Sequence, residues 1–189
     1  MIKKTFLILI FLFFSSSIYG QIKKTFWKNG NKKMEGLFIN NKKEGIYFFW
    51  YKNGQLEMKV PYKNNDLNGN FVEFYENGNI KSKGIYSFNK KNGKWFFYYE
   101  NGNLYIETFF LNDLYDDYLT EYFLSGKIKE KSYFVNGILQ GKWISFYENG
   151  SKKEEGNCKN GKKDGSWTYY FDNGKIHYIE IYKNGDFIR

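Results

Sequence analysis

Glycine recurs at an interval of 24 residues kept without one insertion or deletion: Gly30, Gly54, Gly78, Gly102, Gly126, Gly150 and Gly174. A fixed period of this length marks a repeat architecture, in which each unit is one supersecondary element that buries its apolar surface against its neighbours. Six of these glycines follow an asparagine (Asn29, Asn53, Asn77, Asn101, Asn149 and Asn173), and Ser125 precedes the remaining one. A second glycine series runs in the same phase at 45, 69, 93, 141 and 165, with Asp117 at its vacant position. Three residues before each member of the first series stands a ring: Trp27, Tyr51, Tyr75, Tyr99, Phe123, Tyr147 and Phe171.

Asn-Gly flanked by runs of Tyr, Phe, Trp and Ile reads as a β-hairpin with a type I′ turn, because both central residues of that turn need positive φ. The seven glycines of the first series are therefore expected to be structural turn residues, each second in a type I′ pair. Aromatic and β-branched content, two glycines in most units and the lack of a 3.6-residue period all oppose helix. The second connection of each unit, for example residues 159–165, reads as a longer Lys/Asn/Gly/Asp turn. The expected fold is therefore all-β, an elongated single-layer meander of about seven hairpins and roughly fourteen strands over residues 21–189.

Centring a two-residue loop on Asn53-Gly54 sets Tyr51 opposite Leu56, Phe49 opposite Met58 and Tyr47 opposite Val60. In other units the same face sets Trp95 against Thr108, Phe71 against Gly84 and Trp143 against Gly156. Large rings against small residues interdigitate well, so this is the expected core face, with Tyr62, Tyr86, Phe110 and Phe134 near the second turns. With no helix to cover it, the sheet is expected to coil over its own face or to pair with another copy as a homodimer.

The opposite face sets Trp50 against Glu57, Phe48 against Lys59 and Tyr98 against Tyr105. One aromatic row persists there through every unit: Phe26, Trp50, Phe74, Tyr98, Tyr122, Phe146 and Tyr170, with Lys81, Lys83, Lys129, Lys131 and Lys153 between the rings. Such rings can serve as stacking platforms and anchors for a glycan or protein partner, so the row from Trp50 to Tyr170 is the candidate binding surface.

Residues 1–20 read as a secretory signal: Lys3 and Lys4, an apolar run from Phe6 to Phe14, three serines, then Gly20 before Gln21. The apolar run would span about 14 Å as a helix against a hydrocarbon core of about 30 Å, which favours cleavage over an uncleaved anchor. Losing Lys3 and Lys4 lowers the net charge from +9 to +7. That charge suits an anionic membrane surface. Export disfavours nucleic acid, and so does the fourth unit, where Glu107, Asp113, Asp116, Asp117 and Glu121 stand without a Lys or Arg between residues 103 and 126.

Reactive chemistry is thin. One His and one Cys exclude a disulfide framework, a Cys/His zinc cluster and a two-His metal motif. His177 lies on the second strand of the last hairpin as a surface residue, and Cys158 takes a position held elsewhere by rings, as a small buried filler. Asp113, Asp116 and Asp117 lack the spacing and closing glutamate of a calcium loop. No glycine belongs to a phosphate-binding loop. No catalytic residue, metal or cofactor is expected.

The pattern Gly-x-Trp-x-x-x-Tyr-x-Asn-Gly is clearest in Gly93-Lys94-Trp95-Phe96-Phe97-Tyr98-Tyr99-Glu100-Asn101-Gly102 and in the copy from Gly141 to Gly150, with a third copy from Gly165 to Gly174. It resembles the bacterial variant of the MORN repeat, over everything from about residue 21 to 189. The resemblance implies a repeat-built interaction protein. Two roles follow from it: a scaffold at the cell envelope that binds a protein or polymer, or an antitoxin-type neutraliser of the YwqK type. The second needs retention in the cytoplasm, which an export signal opposes.

Overall fold

The computed structural model describes residues 20–189. They form eighteen β-strands in one antiparallel sheet, with no helix among the described residues. Fourteen strands are six to nine residues long, and four are two-residue segments. Three of these short segments (Asp66–Leu67, Leu114–Tyr115 and Ile138–Leu139) are the leading ends of the strands that follow them, separated by a bulge. Every strand pairs only with neighbours in sequence, from Gly20–Phe26 with Lys32–Ile39 to Lys162–Tyr170 with Ile176–Lys183. Among the described residues the result is an open meander with two edges left unpaired. The signal-peptide reading falls on residues outside those described, except for Gly20, which pairs with Ile39.

The two ends of each hairpin use turn types opposite to those expected. At Asn53-Gly54 the Gly54 N–H donates to the Tyr51 carbonyl and the Tyr51 N–H to the Gln55 carbonyl, a type I turn followed by a glycine bulge. The same pair of bonds forms at every first turn: Gly30 donates to Trp27 at 2.9 Å, Gly78 to Tyr75 at 2.9 Å and Gly126 to Phe123 at 2.8 Å. Gly102, Gly150 and Gly174 donate likewise to Tyr99, Tyr147 and Phe171.

These seven glycines are turn residues, as expected, but the type I′ assignment is corrected at each of them. Gly30, Gly54, Gly78, Gly102, Gly126, Gly150 and Gly174 have φ between +80° and +93°, while neither the asparagines before them nor Ser125 has positive φ. Only one residue of each pair is left-handed, so each glycine sits in the bulge and not in the second position of a type I′ turn. Asparagine serves another purpose there: its Oδ1 accepts the N–H two residues on, as Asn53 does from Gln55 at 2.9 Å and Asn77 from Asn79 at 2.9 Å. The type I′ turns lie at the other end, at Asn64-Asn65 (φ 53° and 78°), Asn112-Asp113 (53° and 72°) and Asn160-Gly161 (49° and 78°). Those connections are tight, not long.

The bulge shifts the register beside the first turn. Phe49 faces Met58 and Tyr47 faces Val60 as expected, but Trp50 faces Leu56, where Tyr51 had been expected. Likewise Tyr98 faces Leu104 rather than Tyr105, and the expected Trp50–Glu57 pair does not form.

The core face is as read, with Phe71 opposite Gly84, Trp95 opposite Thr108 and Trp143 opposite Gly156. Within one chain the rings of this face already cover one another. Rings lie flat on the backbone of the preceding strand and tile against each other, so that Tyr47 is 0% and Trp95 1% exposed within a single layer. Around Trp95 stand Phe71 at 5.7 Å, Tyr86 at 5.1 Å, Phe97 at 6.0 Å and Phe110 at 6.1 Å between ring centroids. Lysines close the top: Lys91 Nζ lies 4.8 Å from the Trp95 ring and Lys163 Nζ 4.1 Å from Trp167, cation–π contacts that also cover apolar surface with the lysine stem.

The second glycine series supplies a bulge opposite this core, at φ 76° for Gly45 and Gly93 and 78° for Gly165. Asp117 keeps that conformation at φ 74°, so the fourth unit replaces the glycine without losing the bulge.

Candidate functional site: the outer face

Side chains alternate across a strand, so residues flanking the buried rings point to the other side of the sheet. The row Trp50, Phe74, Tyr98, Tyr122, Phe146 and Tyr170 lies there, each residue half-buried and one per repeat. An intervening strand separates successive members. The row is therefore a line of spaced rings and not a continuous stack.

Four of the six rings have a lysine over them. Lys32 Nζ stands 4.6 Å from the Trp50 ring and Lys83 Nζ 5.4 Å from Tyr98 and 5.3 Å from Phe96. Lys59 lies over Phe74 at 5.9 Å and Lys152 over Tyr170 at 5.9 Å. Two of these lysines also meet a carboxylate, Lys32–Glu35 at 2.7 Å and Lys152–Glu155 at 2.9 Å. The Tyr170 hydroxyl donates to Glu155 Oε1 at 2.6 Å. That hydrogen bond, then Lys152, holds the Glu155 carboxyl down at about 2.

Lysine is unevenly spread along the face. Residues 21–102 hold fifteen lysines against seven acids, while residues 103–126 hold five acids and no base. In the lysine-rich part, a shallow depression of about 360 Å³ is lined by Asn70, Val72, Lys83, Ile85, Lys94 and Phe96 among others. Its floor is apolar and its rim cationic.

What fixes the row in place was not read from sequence. In five repeats the ring three residues before the turn glycine reaches into the next repeat and donates to the carbonyl of a row residue: Trp27 Nε1 to Trp50 at 2.9 Å, Tyr51 Oη to Phe74 at 2.7 Å, Tyr75 to Tyr98 at 2.7 Å, Tyr99 to Tyr122 at 2.8 Å and Tyr147 to Tyr170 at 2.9 Å. Phe123 has no hydroxyl, so the ladder skips Phe146. The signal was the phase of the aromatic series; its meaning needed the 23-residue reach that only the folded array shows.

The residues weighed for chemistry stay apart. Cys158 is a free, buried thiol on the core face, and burial pushes its pKa up, away from nucleophilic thiolate. His177 packs against Phe171, with ring centroids 4.1 Å apart. Asp113 accepts the Lys91 N–H at 2.7 Å and Asp116 the Asn136 N–H at 3.0 Å, so both acids serve turn-to-turn bonding. No group of three or more His, Cys, Asp or Glu side chains suited to a metal ion occurs among the described residues.

An open array of glycine-punctuated hairpins, each hydrogen-bonded to the next and carrying one outward ring, defines a β-hairpin repeat protein. Six stretches match the family described as MORN repeat variant: residues 43–64, 67–87, 91–112, 119–136, 139–160 and 163–184. They span more than half of the sequence, and the chain belongs to that family. No curated protein matches the chain. Membership suggests a repeat-built binding module.

Proposed function

We propose that this chain is a non-catalytic, exported interaction module that binds an anionic partner, protein or envelope polymer, along its outer face. The observation that carries this reading is the row itself. One ring per repeat stands at a constant phase; four of the six, Trp50, Phe74, Tyr98 and Tyr170, have a lysine beside them, and all but Phe146 are held to the preceding repeat by a hydrogen bond to the backbone carbonyl that leaves the ring's own face free. A partner laid along the sheet meets rings about 9–10 Å apart, two strand spacings, each able to anchor one group while the lysines neutralise charge. The signal-like residues 1–20 support placement at the envelope or outside the cell.

The test replaces Trp50, Tyr98 and Phe146 by Ser together. Capture of envelope components and co-sedimentation with vesicles rich in anionic lipid are compared with the parent chain, alongside circular dichroism. Loss of binding with the β-sheet spectrum kept supports the reading. Loss of the spectrum shows that the row is core and overturns it. Cell fractionation decides the location: a mature form in the cytoplasm would favour the toxin-neutralising alternative.

A further inference from the structure

We infer that the two free edges of the sheet are complementary and that copies of this chain associate head to tail, the last hairpin of one receiving the first strand of the next. The last full strand, Ile176–Lys183, is only partly covered on its outer side. The segment Asp186–Phe187 pairs with Tyr182 and Lys183, and Ile181 exchanges hydrogen bonds with Ile188 and Arg189. Among the described residues nothing pairs the outer edge of Ile176–Glu180, and Ile176 and Ile179 are 58% and 52% exposed. At the other end, among the described residues, the strand Gly20–Phe26 pairs with Lys32–Ile39 on one side only, and Ile22 and Phe26 are exposed. Unpaired strand edges present backbone donors and acceptors ready for another strand.

The period states what should fill the gap. Inside the molecule each second strand of a hairpin is followed by a first strand in one register, Met34 against Phe49 and Glu35 against Phe48. Carried along the 24-residue count, that register sets Tyr178 against Thr25 and Ile179 against Lys24 of a second copy. The open segment Ile176–Glu180 is five residues long, and Ile22–Phe26 supplies five.

Charge agrees. Within the array, Tyr47, Trp95 and Trp167 each sit over a glycine of the preceding strand, Gly36, Gly84 and Gly156. One period beyond Gly156 the floor position is Glu180, and one period before Tyr47 the ring position is Lys23. These are the only charged residues at either position, and they stand at opposite ends of the sheet. A head-to-tail contact brings them together, whereas joining like edges sets Glu180 against Glu180 or Lys23 against Lys23. The contact uses two different surfaces, so it does not close on itself, and association extends into chains.

Sedimentation velocity on the full chain across the micromolar range tests this. The expected result is a mean mass that climbs continuously with concentration. Lys23→Glu and Glu180→Lys each move association to about tenfold higher concentration, and mixing the two variants restores it, because each then meets an opposite charge on the other. Lys23 is exposed on an edge strand, so its variant keeps the parent's circular dichroism even if replacement of Glu180 disturbs the last hairpin. A mass fixed at the monomer overturns the proposal. So does a plateau at the dimer that Lys23→Glu leaves unchanged, which would show a symmetric contact between two Ile176–Lys183 edges.

Discussion

The hairpins of this array come in two kinds, and the difference lies in a single residue beneath each central ring. Under Tyr47, Trp95 and Trp167 that residue is Gly36, Gly84 or Gly156; a Cβ added there would come within 2.2–2.4 Å of the ring. At the equivalent floor positions of the hairpins that carry Phe71, Leu119 and Trp143 stand Val60, Thr108 and Ser132, and Leu119 itself replaces the ring. Where glycine provides the floor, one residue faces three across the bulge and the ladder resumes at once, as between Glu35–Phe48 and Leu37–Glu44. Where a side chain provides it, two residues face four, and the extra turn is closed by a bond such as Asn68 N–H to the Pro61 carbonyl at 3.0 Å. The glycine floor lets the ring lie on the backbone and donate to the next carbonyl: Tyr47 Oη to Leu37 at 2.7 Å, Trp95 Nε1 to Ile85 at 3.1 Å and Trp167 Nε1 to Asn157 at 3.1 Å. Trp143, in the hairpin whose floor position is Ser132, donates to the Glu130 carboxylate at 2.8 Å instead. A lysine caps each ring of the first kind, while Leu67, Tyr115 and Leu139 stand at that position in the second. The presence or absence of a side chain at the floor thus goes with hydrogen-bond partner and cap together.

The largest effect should separate two tryptophans. Trp167 is 2% exposed and Trp143 only half-buried, so Trp167→Ala should cost about 4 kcal/mol and Trp143→Ala about 2 kcal/mol in chemical denaturation. Equal losses would break the division into two kinds. Next comes the floor itself. Gly84→Ala drives a methyl into the Trp95 ring and should cost about 3 kcal/mol. Ser132→Ala should be neutral or gain about 1 kcal/mol, because the Ser132 hydroxyl is buried and has no hydrogen-bond partner. Shrinking the ring in a Gly84→Ala, Trp95→Leu pair should recover part of the loss, a non-additivity that distinguishes the clash from a general loss of strand propensity.

How much of this was legible in the sequence depends on whether a feature has one physical cause or two. The repeat, the hairpins and the core face followed from the phase of glycines and rings, since only a 24-residue unit of paired strands places Phe71 opposite Gly84. The turn types were misassigned because Asn-Gly serves two geometries. In Asn53-Gly54 the asparagine side chain bonds the backbone and the glycine forms the bulge, as Gly30, Gly78 and Gly126 do in their own units. Ser125-Gly126 keeps that turn without an asparagine, which a type I′ pair would not readily allow. The true type I′ turns include Asn64-Asn65 and Asn112-Asp113, which carry no glycine to mark them. Gly36 and Gly84 belong to a third glycine series that Val60, Thr108 and Ser132 interrupt, so their common role emerged only once the rings above them were seen. The outer row was readable as a pattern. The hydrogen bonds that hold it, from Tyr51 to Phe74 and onward, span 23 residues and depend on how one turn lies against the next.

Smaller effects sharpen the comparison on the outer face. Glu155 precedes the glycine floor of Trp167 and anchors Tyr170 and Lys152. Its carboxyl is held at about 2, below its ordinary 4.5, so its stabilisation is present above pH 4.5 and fades as the pH falls toward 2. Glu155→Gln should therefore cost about 1 kcal/mol near neutral pH, and the difference from the parent should close on acidification. A difference independent of pH would mean that the residue contributes packing alone.

The smallest expected change repairs the one interruption in the inter-repeat ladder. Phe123 lies in a hairpin of the second kind, and its ring occupies the position from which Tyr99 and Tyr147 donate to the following repeat. Phe123→Tyr adds a hydroxyl whose natural acceptor is the Phe146 carbonyl. If that carbonyl is as well placed as those of Tyr122 and Tyr170, the gain should be about 1 kcal/mol, the net worth of one partly shielded hydrogen bond. Hydrogen exchange around Phe146 should slow, because the bond couples two repeats and not two residues of one hairpin. No gain would show that the acidic fourth repeat sits at a different spacing from its neighbour, and that the two kinds of hairpin differ at the turn as well as at the floor.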